Sequence, residues 1–270
     1  MMEGNKPNLC SDTGSEILFV GTGAADWQSP LPSGEFRGYA SLLVDGLILI
    51  DCGSTTFDRM KDLEVDWSAI TDIFITHSHR DHFDINTINS LADAIYKIKG
   101  EIITLHIEES WATEIIPERF TINPLKVEEE IQIGKYRILP LASNHKGDYK
   151  QEIPLHYLFF NGKVSWLYGT DGCWLLNRTW QILKEHTFDC WIVDCTIGDE
   201  HEGDFRIFEH NSLPMIRIMA KTFYKQGILK DNAWIVLTHL AKTLHPGQDQ
   251  LETKLDFPFK VAYDGYIHII

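Results

Sequence analysis

His77-Ser78-His79-Arg80-Asp81-His82 packs three imidazoles and a carboxylate into six residues, and that density constrains this chain more than any other feature of it. The residues before it, Asp72-Ile73-Phe74-Ile75-Thr76, have the apolar character of a buried strand. After it, Ile88, Leu91, Ala92, Ile95 and Ile98 recur at helical spacing, so a helix is expected over residues 85–98. The cluster therefore belongs on a loop between a strand end and a helix. Imidazole nitrogen and carboxylate oxygen are good ligands for zinc and other first-row divalent ions. Alternation along the loop can turn His77 and His79 to one side and Asp81 and His82 to another, so that two ions share it.

Four donors are too few for two ions, and the remainder of the chain supplies more. His145 follows an expected strand ending at Leu141, Asp171 one ending at Tyr168, and His239 one ending at Thr238. A donor repeated just beyond strand ends is what a strand-end metal site requires. Strands are expected over residues 16–20, within 40–51, and over 72–76, 101–107, 130–141, 156–160 and 164–168, with Asn161-Gly162 as a hairpin turn. The last third alternates helices over 175–186, 208–226 and 247–254 with strands over 190–194, 234–238, 260–262 and 266–269. Such a mixture predicts an α/β fold of two sheets faced by helices. No repeat or linker marks a boundary, so one domain over residues 17–270 is expected behind a flexible extension of residues 1–16.

Lys and Arg number 24 against 39 Asp and Glu, a formal net charge of −15. Non-specific nucleic-acid binding draws on cations that release condensed counterions. A small-molecule substrate is therefore expected and an extended nucleic acid is not. No apolar run reaches the roughly 18 residues of a membrane span, and the first 16 residues hold no signal-like apolar stretch, so neither membrane nor export is expected. The cysteines, Cys10, Cys52, Cys173, Cys190 and Cys195, are odd in number and contain no CxxC, which fits a reducing cytoplasm. Assembly is left open, a homodimer included.

The segment Thr76 to His82 carries the HxHxDH signature of the metallo-β-lactamase superfamily, and the order HxHxDH, His145, Asp171, His239 resembles its phosphodiesterase-type members. The similarity runs from Ile17 to Ile270 and includes Phe19-Val20-Gly21-Thr22-Gly23, Leu49-Ile50-Asp51-Cys52-Gly53, Ser143-Asn144-His145, Asp194-Cys195-Thr196, Leu237-Thr238-His239 and Asp264-Gly265. Within the superfamily the chain is most similar to PhnP-like phosphodiesterases, which cleave cyclic ribose phosphates, and more distantly to ribonuclease Z. The resemblance implies an αββα sandwich of two mixed β-sheets flanked by helices. It also implies two divalent metal ions per chain, zinc or manganese, with iron compatible. His77, His79 and His145 would hold one ion, Asp81, His82 and His239 the other, and Asp171 would bridge them. The dizinc β-lactamases generally lack that bridging carboxylate, so Asp171 favours the phosphodiesterase, glyoxalase II and lactonase branches.

Two metal ions about 3.5 to 4 Å apart lower the pKa of a shared water. The expected reaction is hydrolysis of a small cyclic nucleotide or sugar phosphodiester, with Asp81 and His210 as candidate catalytic residues. His210, at the expected start of the long helix, resembles the histidine that in PhnP-like and ribonuclease Z families binds phosphate and protonates the leaving group. Asp51, ending an apolar strand, is expected to accept the second ring N–H of a metal-bound histidine. Asp264 is a second case of that kind, with a hairpin-turn role as its alternative. Trp27, Trp166 and Trp174 fall near the expected site loops and either stack on substrate or belong to the core. Gly21-Thr22-Gly23 lacks the third glycine of a dinucleotide loop, which rejects nucleotide-fold binding.

Two departures from the PhnP-like pattern stand out. Ala24-Ala25-Asp26-Trp27 holds no cysteine, so the additional structural zinc of those enzymes is not expected, and Phe83 stands where a glycine usually follows the motif. A lactonase or thioesterase, a ribonuclease Z-like RNA-processing enzyme and a non-catalytic relative are the alternatives.

Overall fold

The computed structural model describes residues 14–270. The chain lays down β1 (Glu16–Gly21), β2 (Ser41–Val44), β3 (Ile48–Ile50), β4 (Asp72–Phe74), β5 (Ile103–Glu108) and β6 (Phe120–Leu125). It continues with β7 (Ile131–Ile133), β8 (Tyr136–Ala142), β9 (Leu155–Phe160) and β10 (Ser165–Gly169). It ends with β11 (Phe188–Asp194), β12 (Leu229–Thr238), β13 (Phe259–Val261) and β14 (Ile267–Ile269). These make two seven-stranded sheets, in the orders β14-β1-β2-β3-β4-β5-β6 and β13-β12-β11-β10-β9-β8-β7. Both are mixed: β1, β2 and β3 pair antiparallel and β3 to β6 parallel, while β7 to β10 pair antiparallel and β10 to β13 parallel.

Phe19, Phe74, Tyr157, Phe159 and Trp166 pack between the sheets. Helices α1 (Thr56–Asp62) and α2 (Ile85–Lys99) supply Phe57, Met60, Ile88, Leu91 and Ile95 to the outer face of the first sheet. Helix α4 (Leu213–Lys225) packs Ile216, Met219 and Phe223 on the outer face of the second, beside Leu183 of α3 (Asn177–Leu183) and Leu251 of α5 (Gln248–Thr253). The αββα sandwich is the expected one. Strands covered on both faces read as unbroken apolar runs rather than alternating ones, as β3 does.

Local chemistry explains the element boundaries. The Asp84 carboxylate accepts from Thr87 N at 3.2 Å and caps α2, which ends on left-handed Gly100. The helix expected over 208–226 begins only at Leu213. Pro214 has no amide N–H and is tolerated only in the first turn, so the helix cannot reach back to Phe208, and Ser212 caps it. The strand expected over 130–141 breaks at Gly134 (φ 53°) into β7 and β8. Strand β6 was hidden by Pro124, which is accommodated because β6 is the edge of its sheet. The short helix α1 was not expected either.

Of the extension expected over residues 1–16, residues 1–13 lie outside the described ones. Ser15 is fully buried and exchanges backbone hydrogen bonds with Ile270, and Glu16 opens β1. Among the described residues no helix is long and apolar enough to cross a membrane.

Candidate metal centre

Six strands deliver the site at their C-terminal ends. Asp51 follows β3, His77 to His82 follow β4, His145 follows β8, Asp171 follows β10, Asp194 ends β11 and His239 follows β12. Asp51 (φ 62°), Asp171 (φ 49°) and His239 (φ 56°) turn sharply off their strands in left-handed backbone, a conformation few L-residues adopt, with Asn, Asp and His the readiest. Gly53 lets the β3 end approach the motif loop, since a methyl group there would overlap the carbonyl of Asp81.

All seven expected metal donors converge. His77 Nε2 stands 3.0 Å from His79 Nδ1, and His145 Nε2 stands 3.3 Å from the same atom. His82 Nε2 and His239 Nε2 are 3.3 Å apart, each 3.5 Å from Asp81 Oδ2. Asp171 lies between the two groups: Oδ2 contacts His82 Nε2 and stands 3.5 Å from His77 Nε2, while Oδ1 is 3.2 Å from His239 Nε2. The donor sets His77–His79–His145 and Asp81–His82–His239 each fall within the 4.8 Å spread that a single ion can span.

Four of the five histidines use the outward ring nitrogen elsewhere. His82 Nδ1 donates to Asp51 Oδ2 at 2.9 Å, His145 Nδ1 donates to Glu209 O at 3.1 Å, and His77 and His239 meet Thr76 Oγ1 and Thr196 Oγ1 at 3.0 and 2.8 Å. Partners of this kind fix the tautomer and aim the other lone pair inward. Ring nitrogens then face ring nitrogens across about 3 Å, a close approach that a cation relieves once any proton between them has left. Asp171 Oδ1 is buried and faces two histidine nitrogens, His239 Nε2 at 3.2 Å and His210 Nδ1 at 3.1 Å. The donor set thus fits divalent metal ions.

Burial pushes His77 well below the usual imidazole range, helped by neighbouring His82, and it lowers His145 as well. Burial also opposes charge on His82, but Asp171, Asp81 and Asp51 outweigh it and hold that imidazole well above its ordinary value. His239 is carried, against burial, to about 9 by Asp171, Asp194 and Asp81. Asp171, which burial alone would raise, is held well below the carboxylate range by His239, His82 and His210.

His210 lies in the loop before the Ser212 cap rather than at the start of the helix. Its Nδ1 is 3.0 Å from Asp194 Oδ2 and 3.1 Å from Asp171 Oδ1, and its ring stacks on His239 with centroids 5.3 Å apart. Burial disfavours its charge, yet Asp194 and Asp171 keep it well above the usual range. Asp51 stands where expected, accepting from His82 and from Thr76 N and Oγ1. Asp264 does not: it accepts from Thr22 Oγ1 at 2.8 Å, Gly38 N at 2.6 Å and Arg59 Nε at 3.0 Å, and none of its partners is a cluster histidine. It ties the Gly21–Gly23 turn to the chain beside it.

Asp194 was not expected as a site residue. It holds His210, accepts from Thr196 N at 2.7 Å, and lies 3.8 Å from His239 Nδ1. Its signal was present as Val193-Asp194-Cys195, which repeats Ile50-Asp51-Cys52. Trp166 is fully buried and stacks on Phe159, and Trp27 is buried with Nε1 donating to Leu240 O, so both belong to the core. Trp174 is 44% exposed, its backbone left-handed (φ 55°) and its N–H held by Asn211 Oδ1 at 2.8 Å.

An αββα sandwich with these donors at its strand ends defines the metallo-β-lactamase fold, and solved structures share it. YhfI from Bacillus subtilis matches with a TM-score of 0.70 at 14% identity, over 95% of this chain and 99% of its own. A diphosphatase of the PhnP family matches with a TM-score of 0.69 at 17% identity, over 96% of this chain and 98% of its own. Residues 15–206 match the family of the anti-Pycsar protein Apyc1, and the chain belongs to that family. A stretch of 67 residues, 25% of this chain, is 39% identical to ribonuclease Z from Thermoplasma acidophilum and spans 21% of that protein.

Proposed function

We propose that this protein is a dinuclear metal-dependent hydrolase that cleaves a small cyclic nucleotide or sugar phosphodiester. The observation that carries the reading is the set of imidazoles whose inner nitrogens converge while Asp51, Thr76, Thr196 and Glu209 O hold the outer ones. His77, His79 and His145 would hold one ion and Asp81, His82 and His239 the second, with the Asp171 carboxylate between the two groups. Zinc or manganese bound there would supply activated water and neutralise phosphoryl oxygens.

The chain's own contribution beyond the ligands centres on His210. With Nδ1 against Asp194 and Asp171, Nε2 is left to meet the substrate, and the flanking carboxylates keep the ring protonated at neutral pH. A charged imidazole is suited to bind phosphate and to give its Nε2 proton to the departing alkoxide. The exposed indole of Trp174 can lie against a base or sugar ring. The net charge of −15 and the four buried free thiols among the described residues favour a small substrate and a reducing cytoplasm.

Metal analysis of purified protein, joined to assays with a bis-aryl phosphodiester, a lactone and a thioester under added zinc or manganese, tests the reading. Two ions per chain with turnover of the phosphodiester is the expected result. Turnover of only the lactone or thioester would move the protein to another hydrolase branch, and a chain that takes up no metal would remove the mechanism.

A further inference from the structure

On the metal-binding reading above, the geometry points to Glu152 as a positioning residue that locks two ligand loops, His77-Ser78-His79 and His145-Lys146-Gly147, into one unit and so governs one half of the centre separately from the other. Ser78 sits between the two histidines of the first loop. Its backbone N–H donates to Glu152 Oε1 at 2.6 Å, its hydroxyl donates to Glu152 Oε2, and the same hydroxyl accepts from Asp148 N at 2.8 Å. Tyr149 N also donates to Oε2, at 3.3 Å. Hydrogen bonds to an ionised carboxylate are among the stronger ones, so both loops close on one charged anchor.

Gly147 shows how closely the anchor is fitted. It is buried, and a methyl group there would overlap the Glu152 carboxylate. Glycine is thus required by the neighbouring carboxylate, since Gly147 is not among the glycines of positive φ. Glu152 lies on the segment that also carries His145, so displacing its carboxylate shifts Ser78, and with it His77 and His79, relative to His145. Metal ligation tolerates distance errors of only about 0.2 Å. Asp81, His82 and His239 lean instead on Asp51, Thr196 and Asp194, none of which touches Glu152.

The test is a zinc titration of metal-free, full-length protein against a chromophoric chelator, with circular dichroism to follow the fold. Unmodified protein is expected to bind two zinc ions. Glu152→Gln and Gly147→Ala are each expected to weaken one of them by about ten- to a hundredfold, the range for groups that orient metal ligands, and to leave the other unchanged. Adding Asp51→Asn to Glu152→Gln should then weaken the remaining site. Gly147→Ala keeps the carboxylate and only displaces it, so it decides the matter if Glu152→Gln does not fold. Two folded variants that bind both ions as the unmodified protein does, or lose both equally, overturn the role of Glu152 while leaving the metal centre standing. No zinc uptake by the unmodified protein overturns both.

Discussion

His77, His79 and His145 meet as three imidazoles with Asp171 3.5 Å from His77 and exposed Asp148 3.8 Å from His79, whereas His82 and His239 stand among four carboxylates, Asp51, Asp81, Asp171 and Asp194. The protonation consequences are opposite. In the first half His77 and His145 are lowered by burial, and in the second His82 and His239 are raised by acids that overcome it. His77 and His145 are therefore disposed to be neutral ligands, while the second half must shed protons before it can take a metal. Its affinity should therefore fall more steeply with acid. The first half depends on loop placement, with His79 35% exposed, and the second on a buried charge network.

The strongest challenge to this division is His210→Ala, because His210 draws its charge from the acidic half. Turnover is expected to fall by about 10²- to 10⁴-fold, the usual contribution of a general acid, with both metals retained by elemental analysis. Full activity would take His210 out of the mechanism.

Stability of the metal-free protein gives the next largest effect. His239, raised from 6.5 to about 9 on folding, contributes stability that is fully present below pH 6.5 and lost as pH rises through about 9. That loss amounts to about 3 kcal/mol. His77, lowered on folding, has the opposite sign, its contribution being present above pH 6.5 and lost in acid. Thermal melts of chelated protein should show a declining alkaline limb that His239→Gln flattens; an equal decline in that variant would contradict the assignment.

Asp51→Asn sharpens the comparison further. It should weaken zinc at the acidic half by about ten- to a hundredfold, and the first half less, since Asp51 reaches His77 only through Thr76 Oγ1, as read by chelator competition. Equal losses at both would mean that the halves are not separable. The smallest effect is assigned to Trp174→Ala, which is expected to cost about 1 kcal/mol of stacking, a rise in KM for a nucleoside-bearing diester with kcat unchanged. An unchanged KM would leave Trp174 outside the substrate cleft.

Much of this is legible in the sequence. The strand-loop-helix around His77 to His82 could be read from an apolar run, a dense donor cluster and a helical period, each of them local. His145, Asp171 and His239 were found because each follows an apolar strand. Asp194 was missed because an aspartate that closes a strand looks the same whether it makes a turn or holds a histidine 16 residues away in sequence. For Asp264 the sequence leaves a histidine-holding role and a hairpin-turn role side by side, because its partners Thr22, Gly38 and Arg59 are brought to it only by the closed sandwich. Glu152 carried no local signal at all, since its significance lies in a contact with Ser78 across 74 positions.

The left-handed backbone at Asp51, Asp171 and His239 also bears on how this protein can change over time. A random replacement there is filtered twice, first by a conformation that few residues accept and only afterwards by chemistry. Asn passes the first filter more readily than most residues and supplies neither the anionic oxygens of Asp51 and Asp171 nor the ring nitrogen of His239. Folded but inactive descendants are therefore expected to carry Asp51→Asn, Asp171→Asn or His239→Asn, and such a change in a natural relative would read as lost catalysis in a surviving fold.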